Sequence, residues 1–347
     1  MSSTRARTTT RLRPRTLLIG LLVLVAVMLL ALLIGAGDLG WRRVLAEIVA
    51  QLSGGTSPLS EREAAIVWQI RLPRVVLAGL VGAALASSGA AFQGVFRNPL
   101  ADPYLLGAAA GAGMAATMVV VLAPAVSDWV IGPLQLAAFA GALGGVGLSW
   151  MLGRSSGGTG TATLLLAGVA VASFLTAVQT FVQQLNTETI RQVYTWTLGG
   201  LNISSWHEVW LALPYIAASA VVLCVCARLL DVLTLGDAEA SSLGVRPGRV
   251  RLLLLVAASL ATAAAVSVSG LIGFVGIVVP HLVRMLAGAS YRVIIPMSLI
   301  GGAAFLVVAD HVARTIMPGE LPLGVVTAFA GAPFFVLVLR TAKVRSL

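Results

Sequence analysis

Ser173, Thr176, Gln179, Thr180 and Gln183 are the side chains of this sequence best spaced to act together. Ser173, Thr176, Thr180 and Gln183 follow one another at intervals of three, four and three, so a helix presents them on one face, with Gln179 and Gln184 beside them. Hydroxyls and amides supply hydrogen bonds but no acid, base or strong nucleophile. Such a stripe inside an apolar run either ties packed helices together or walls a water-filled path. Several glutamines exceed what packing needs, and the path is the reading adopted.

Elsewhere the sequence carries few reactive constellations. His207, His281 and His311 are far apart, and there is no G-x-x-x-x-G-K-[ST], H-E-x-x-H or G-x-S-x-G. With no nucleophile, base and orienting group nominated for one pocket, the chain reads as a non-enzyme with no metal or cofactor. Cys224 and Cys226 sit two apart in an apolar run, facing different sides of a helix, and read as small buried residues rather than a disulfide. Asp310 and Arg314, four apart, read as a helix-end ion pair or, alternatively, as a site with a proton-relay carboxylate. Arg71 and Arg74 flank Leu72-Pro73, which reads as a rigid turn. The polar segment 231–246 contains Thr234 with Asp237 three residues on, resembling a capping box, and places Asp237 and Glu239 where a helix start favours acids.

The elements that must position these residues follow from composition. Of 347 residues, 58% are hydrophobic and 10% charged, against about 25% charged in a soluble domain. The surface therefore faces lipid, and the expected fold is an all-α polytopic membrane protein. Ten spans are predicted at roughly 17–36, 75–95, 104–123, 133–152, 162–185, 208–227, 250–269, 271–287, 294–312 and 323–341. The eighth, interrupted by Gly273, Gly276 and Pro280, reads as bent or partial. The first apolar run is too long for a signal-peptide core and reads as an uncleaved span. Residues 1–16 form a basic cytoplasmic tail and 17–347 the transmembrane domain, with a cytoplasmic loop at 231–249.

The net charge of +10 does not point to nucleic acid, because the basic residues lie between apolar runs rather than along one face. With an even span count and both termini cytoplasmic, 16 basic residues fall inside and seven outside, as the positive-inside rule requires. The outside set includes Arg71, Arg74 and Arg314. A short echo links Ser88–Pro99 to Ser269–Pro280, each with proline ten residues after the glycine of a Ser-Gly pair. The two lie five spans apart, which suggests two five-helix halves related by inverted pseudo-symmetry. Between spans two and three, "FRNPLADPYLLGAAAGAG" (96–113) interrupts apolar sequence with charge and two prolines, marking a structural turn followed by glycines that permit close packing.

Seven ordered blocks carry a resemblance: "RLPR" at 71–74, "GAALASSGAAFQGVFRNPLADPYLLGAAAGAG" at 82–113, "LLLAGVA" at 164–170, "LGDAEASSLGV" at 235–245, "GFVGIVVPHLVR" at 273–284, "ADHVAR" at 309–314 and "ELPLGVVTAFAGAPFF" at 320–335. Together they resemble the permease subunits of type II ABC importers that take up ferric siderophores, haem and vitamin B12. The resemblance implies a homodimer, or a heterodimer with a sister permease, in the plasma or inner membrane. It implies a cytoplasmic ATP-binding subunit dimer and an extracytoplasmic substrate-binding lipoprotein as partners. Carried over residue by residue, Arg71, Arg74 and Arg314 would dock the binding protein. Leu235, Gly236, Asp237, Ala240, Leu243 and Gly244 would form the helix that couples to the ATPase, and Thr161 and Ala162 the cytoplasmic gate. The fifth span would line the path. A ferric siderophore is the expected cargo, haem or a corrinoid the alternative. A stand-alone secondary transporter, from a different class, is disfavoured by the scarcity of charge within the spans.

Overall fold

The computed structural model describes residues 12–35, 39–122, 132–155, 161–201, 205–316 and 319–344. Arg5, Arg7 and Arg11 of the basic tail, and residues 156–160 just before Thr161, lie outside these. The chain begins with α1 (Pro14–Leu33) and α2 (Trp41–Ser53). Next, α3 (Glu61–Ala65) runs through a π-helical stretch (Ile66–Arg71) into α4 (Leu72–Phe96). A 3-10 turn (Pro103–Leu106) leads to α5 (Ala108–Leu122), α6 (Pro133–Ser155), α7 (Thr161–Leu185) and α8 (Ile190–Thr197). The remainder is α9 (Trp206–Val225), α10 (Ala227–Leu233), α11 (Asp237–Ser242), α12 (Pro247–Ser269), α13 (Val275–Leu286), α14 (Tyr291–Thr315) and α15 (Leu323–Val344).

Each predicted span has a counterpart among these helices. Seven helical stretches among the described residues are long and apolar enough to cross a membrane, and α5, α13 and the described part of α15 are shorter apolar helices. The eighth span is partial: α12 ends at Ser269, and residues 270–274 are non-helical before the twelve residues of α13. The freed backbone is stitched by Tyr104, whose hydroxyl donates to the Ile272 carbonyl at 3.1 Å and accepts from the Ile272 amide at 3.2 Å. Gly200 N–H donates to the Ser269 carbonyl at 2.8 Å, so the break carries internal partners.

The core is built around α4 and α12, both mostly buried, while α1 exposes most of its surface. Small residues let backbones meet where no water drives association. At Gly89 a Cβ would collide with the Gly276 backbone, so α4 and α13 cross with main chains in direct contact. Beside that crossing, Gln93 donates to the Gly276 carbonyl at 3.1 Å and accepts from Arg284 at 3.1 Å, while Ser88 donates to the Ala258 carbonyl at 2.9 Å. The 96–113 interruption resolves in the same terms. Arg97, in the left-handed region at φ 50°, closes α4, Asp102 caps the 3-10 turn through the Tyr104 amide at 2.8 Å, and Gly111 meets the Gly141 backbone of α6.

Three sequence expectations are corrected. Leu72-Pro73 is no turn: proline lies inside a continuous helical run, and the π stretch directly before it is where its ring and missing N–H are accommodated. The echoed segments differ in structure, since Ser88-Gly89 is mid-helix and Ser269-Gly270 is a helix end; they pack against each other instead. Cys226 is buried, but Cys224 is exposed; both are free.

Candidate functional site

α4 and α14 run antiparallel, which defines two ends of the molecule: one holds Arg74 beside Asp310, the other Arg97 near α11. The α7 stripe lies between these ends. α7 buries a single narrow edge, Leu164, Ala167, Gly168, Val171 and Leu175. Ser173, Thr176 and Thr180 are exposed on the isolated chain, and Gln179 and Gln183 are half-buried. Thr180 satisfies its own hydroxyl by donating to the Thr176 carbonyl at 2.9 Å, and Gln179 leans against Gly113 of α5. The stripe is thus open along most of its length and is not consumed by packing within the chain. Beyond Gln183 the polar surface continues through α8 into a cavity of about 540 Å³, lined by Gln135, Glu188, Arg191, Gln192, Thr195 and Trp196 among others. Thr161 and Ala162 form the first turn of α7 at the Arg97 end; Thr161 is half-buried and Ala162 exposed.

At the opposite end the predicted arginines are brought together only in part. Arg74 donates to Asp310 from Nε at 3.1 Å and from a terminal nitrogen at 2.9 Å. Its two terminal nitrogens also reach Glu320, each at 2.9 Å. Arg314 pairs with Asp310 at 3.0 Å, one helical turn away, so the helix-end ion pair forms. Arg71 turns toward α1, donating to the Leu32 carbonyl at 3.4 Å. The three guanidiniums are largely withdrawn from solvent, with 11% of the Arg74 side chain and 6% of Arg314 exposed, against 37% of Glu320. A freely presented arginine rim is therefore not what the chain displays. Buried Asp310 and half-exposed Glu320 answer Arg74 and Arg314, because an unpaired guanidinium at this depth would be expensive.

At the Arg97 end, α11 forms a short helix in the predicted segment, with Asp237 and Glu239 in its first turn. The capping box does not form. Gly236 is the N-cap and supplies no side chain, while Thr234 closes α10 and donates to the Asp231 carbonyl at 2.6 Å. Asp237 instead accepts from Arg97 and, at 2.9 Å, from Arg251 at the start of α12. Leu235 and Leu243 are exposed at 61% and 63%, but Ala240 is fully buried against its own chain and offers no contact to a partner. Gly244, at φ 80°, ends the segment.

The pattern defining the FecCD transport family matches residues 22–341. The chain belongs to that family. Over 312 residues it is 46% identical to the cobalamin import system permease BtuC of Halobacterium salinarum, covering 90% of this chain and 82% of that protein. It is 40% identical to the hemin transport system permease HmuU of Yersinia pestis over 81% of this chain and 85% of that one. It is 39% identical to the vitamin B12 import permease BtuC of Salmonella paratyphi A, over 82% and 87% respectively. A solved inward-facing metal-chelate type ABC transporter superposes with a TM-score of 0.82 at 27% identity, covering 95% of this chain and all of that one.

As a FecCD protein the chain is a membrane permease of an ABC importer, a transport subunit rather than an enzyme; ATP hydrolysis belongs to a separate subunit. Sequence reasoning overlooked the residues that complete both ends of this FecCD permease. Glu320 begins a block that was recognised, yet its partner Arg74 lies 246 positions away. Arg97 and Arg251 share Asp237, which the local spacing reads as part of a helix cap. An acid or arginine left unexplained beside a span is the signal that each should have a distant counter-charge.

Proposed function

We propose that this permease imports a bulky metal chelate, with both termini in the cytoplasm and with α11 facing an ATPase dimer. The observation that carries this reading is the uncovered α7 face, where a stripe of hydroxyl and amide side chains is left open on a membrane-crossing helix. A second copy or a sister permease facing that stripe would enclose a path, with Thr161 and Ala162 at its cytoplasmic narrowing. Leu235 and Leu243 are apolar side chains exposed on the surface next to α11, which suits seating in a groove of the ATPase. Gly236, Asp237, Ala240 and Gly244 hold that surface in shape from within. At the other end the arginine group of Arg71, Arg74 and Arg314 would dock an extracytoplasmic binding lipoprotein, with Arg74, whose planar fork meets the exposed Glu320, the one placed to receive its carboxylate.

A ferric siderophore is the cargo implied by the family resemblance. A corrinoid is the second reading, favoured by the 46% identity to a relative named for cobalamin import. The test is ATP-dependent uptake into proteoliposomes holding the complete complex, offered ferric siderophores, haem and cobalamin in parallel. Uptake of one chelate, lost when Thr176 and Thr180 are both replaced by leucine, supports the path. Unchanged uptake in that double variant removes α7 from it. Saturating uptake of cobalamin with none of iron chelates assigns the second reading.

A further inference from the structure

We infer that Glu320 is an internal stand-in for the binding protein's carboxylate: it occupies the outward fork of Arg74 and must swing away when the partner docks. This rests on the docking role proposed above for Arg74. Five contacts from the three guanidinium nitrogens serve two carboxylates here, with the Nε side turned to Asp310 and both terminal nitrogens reaching Glu320. No free fork remains for a third carboxylate. An incoming glutamate must therefore replace one of the two.

The geometry decides which one leaves. Asp310 has 2% of its side chain exposed, sits within α14 and also holds Arg314. Removing it would take from Arg314 the ion partner it holds within the buried site. Glu320 is 37% exposed and lies on non-helical chain between Gly319, at φ 92°, and the start of α15. Its neighbours are anchored independently: Leu321 N–H donates to the Ala313 carbonyl at 3.0 Å and Leu323 N–H to the Gly199 carbonyl at 2.9 Å. Glu320 can thus release Arg74 by side-chain rotation into water, with the backbone unmoved. Without a partner the same contact keeps Arg74 paired. Exchange of one carboxylate for another keeps the buried charge compensated throughout, which a bare arginine waiting for its partner would not do.

The exchange imposes a competition, so removing the stand-in should tighten docking. The measurement is binding of the whole complex, permease with its ATPase in lipid nanodiscs, to its immobilised substrate-binding protein. Wild type, Glu320→Gln, Arg74→Gln and the double variant are compared. Glu320→Gln is expected to bind about tenfold more tightly, the size of one exposed charge-assisted pair. Arg74→Gln is expected to bind more weakly, and adding Glu320→Gln to it should change nothing further. Glu320→Asp, one methylene shorter, keeps the charge and should fall between wild type and Glu320→Gln, which guards against a misfolded glutamine variant. If Arg74→Gln weakens docking but Glu320→Gln binds like wild type, the stand-in is wrong and the docking role survives. If Glu320→Gln tightens docking equally in the Arg74→Gln background, the gain is long-range attraction, and the exchange is again wrong. If Arg74→Gln binds like wild type, the docking role itself fails and the inference falls with it.

Discussion

Replacing Asp310 by leucine removes the carboxylate that two guanidiniums share. Arg74 keeps Glu320, with both terminal nitrogens at 2.9 Å, but Arg314 loses the ion partner it holds at 3.0 Å while remaining 6% exposed. Breaking a buried pair by deleting one partner costs about 3–5 kcal/mol, because the surviving charge stays desolvated. The opposite deletion, Arg314→Leu, should cost only about 1–2 kcal/mol, since Asp310 retains three donor contacts from Arg74. In the double variant Asp310→Leu with Arg314→Leu no charge is stranded beyond Arg74, which Glu320 still answers. That variant should be more stable than Asp310→Leu alone, giving a coupling of about 2 kcal/mol or more. The assay is equilibrium unfolding of the purified permease in mixed micelles, followed by circular dichroism, for the two single variants and the double. Strictly additive losses, or a loss below about 1 kcal/mol for Asp310→Leu, would refute the view that these charges are buried and mutually compensated.

Other outcomes are expected from the same structure. Gly89→Val should abolish monodisperse permease on size-exclusion chromatography, because its side chain would enter the Gly276 backbone, whereas Gly144→Ala, with open space around it, should raise the melting temperature by the value of up to about 1 kcal/mol. Burial pushes the Asp102 carboxyl up to about 6 from its ordinary 3.8, so the folded state holds the proton more tightly and stability should fall as pH rises from about 4 to 6; Asp102→Asn, which keeps the turn, should flatten that part of a melting-temperature profile. Leu235→Ser with Leu243→Ser should leave the permease folded but lower uptake and co-purification of the ATPase together, and normal values of both would remove these side chains from the coupling surface. Thr161→Cys or Ala162→Cys should form a cross-link between two permease copies in a closed state, detected on a non-reducing gel; absence of cross-linking in every nucleotide state would count against the gate.

What was legible in the sequence was what long apolar runs report. Each of the ten spans registers in composition over about 20 residues, so helices such as α6 and α7 start within a residue or so of expectation. The partial eighth span was readable because glycine and proline interrupt it. Helices α2 and α3 were not, since Trp41–Ser53 is amphipathic and short rather than long and apolar. Their ties are also distant in sequence: Arg43 pairs with Glu63 at 2.8 Å, and Trp68 of the π stretch donates to Glu47 of α2 at 3.0 Å. The site residues divide similarly. The α7 stripe obeys helical periodicity and stayed on one open face. The pairing of Arg74 and Arg314 depends on Asp310 and Glu320, which no local pattern connects to "RLPR". Thr234 was misassigned because the spacing of a capping box says nothing of a stronger charged partner arriving from α4 and α12.

The main-chain contact at Gly89 and Gly276 has a bearing on how the permease moves. With Ser88 bonded to α12 and Gln93 bridging Gly276 and Arg284, helices α4, α12 and α13 are riveted at one level. Bending within that block would break several bonds at once. The face that α12 turns to α6 is different: Leu143, Val146 and Trp150 meet Leu252, Leu255 and Val256 around a cavity of about 260 Å³. Greasy side chains can slip past one another by exchanging rotamers. Movement of α6 along α12 is therefore expected to take place at this apolar face sooner than between α4 and α13, and a shift there would carry the polar stripe of the neighbouring α7 with it.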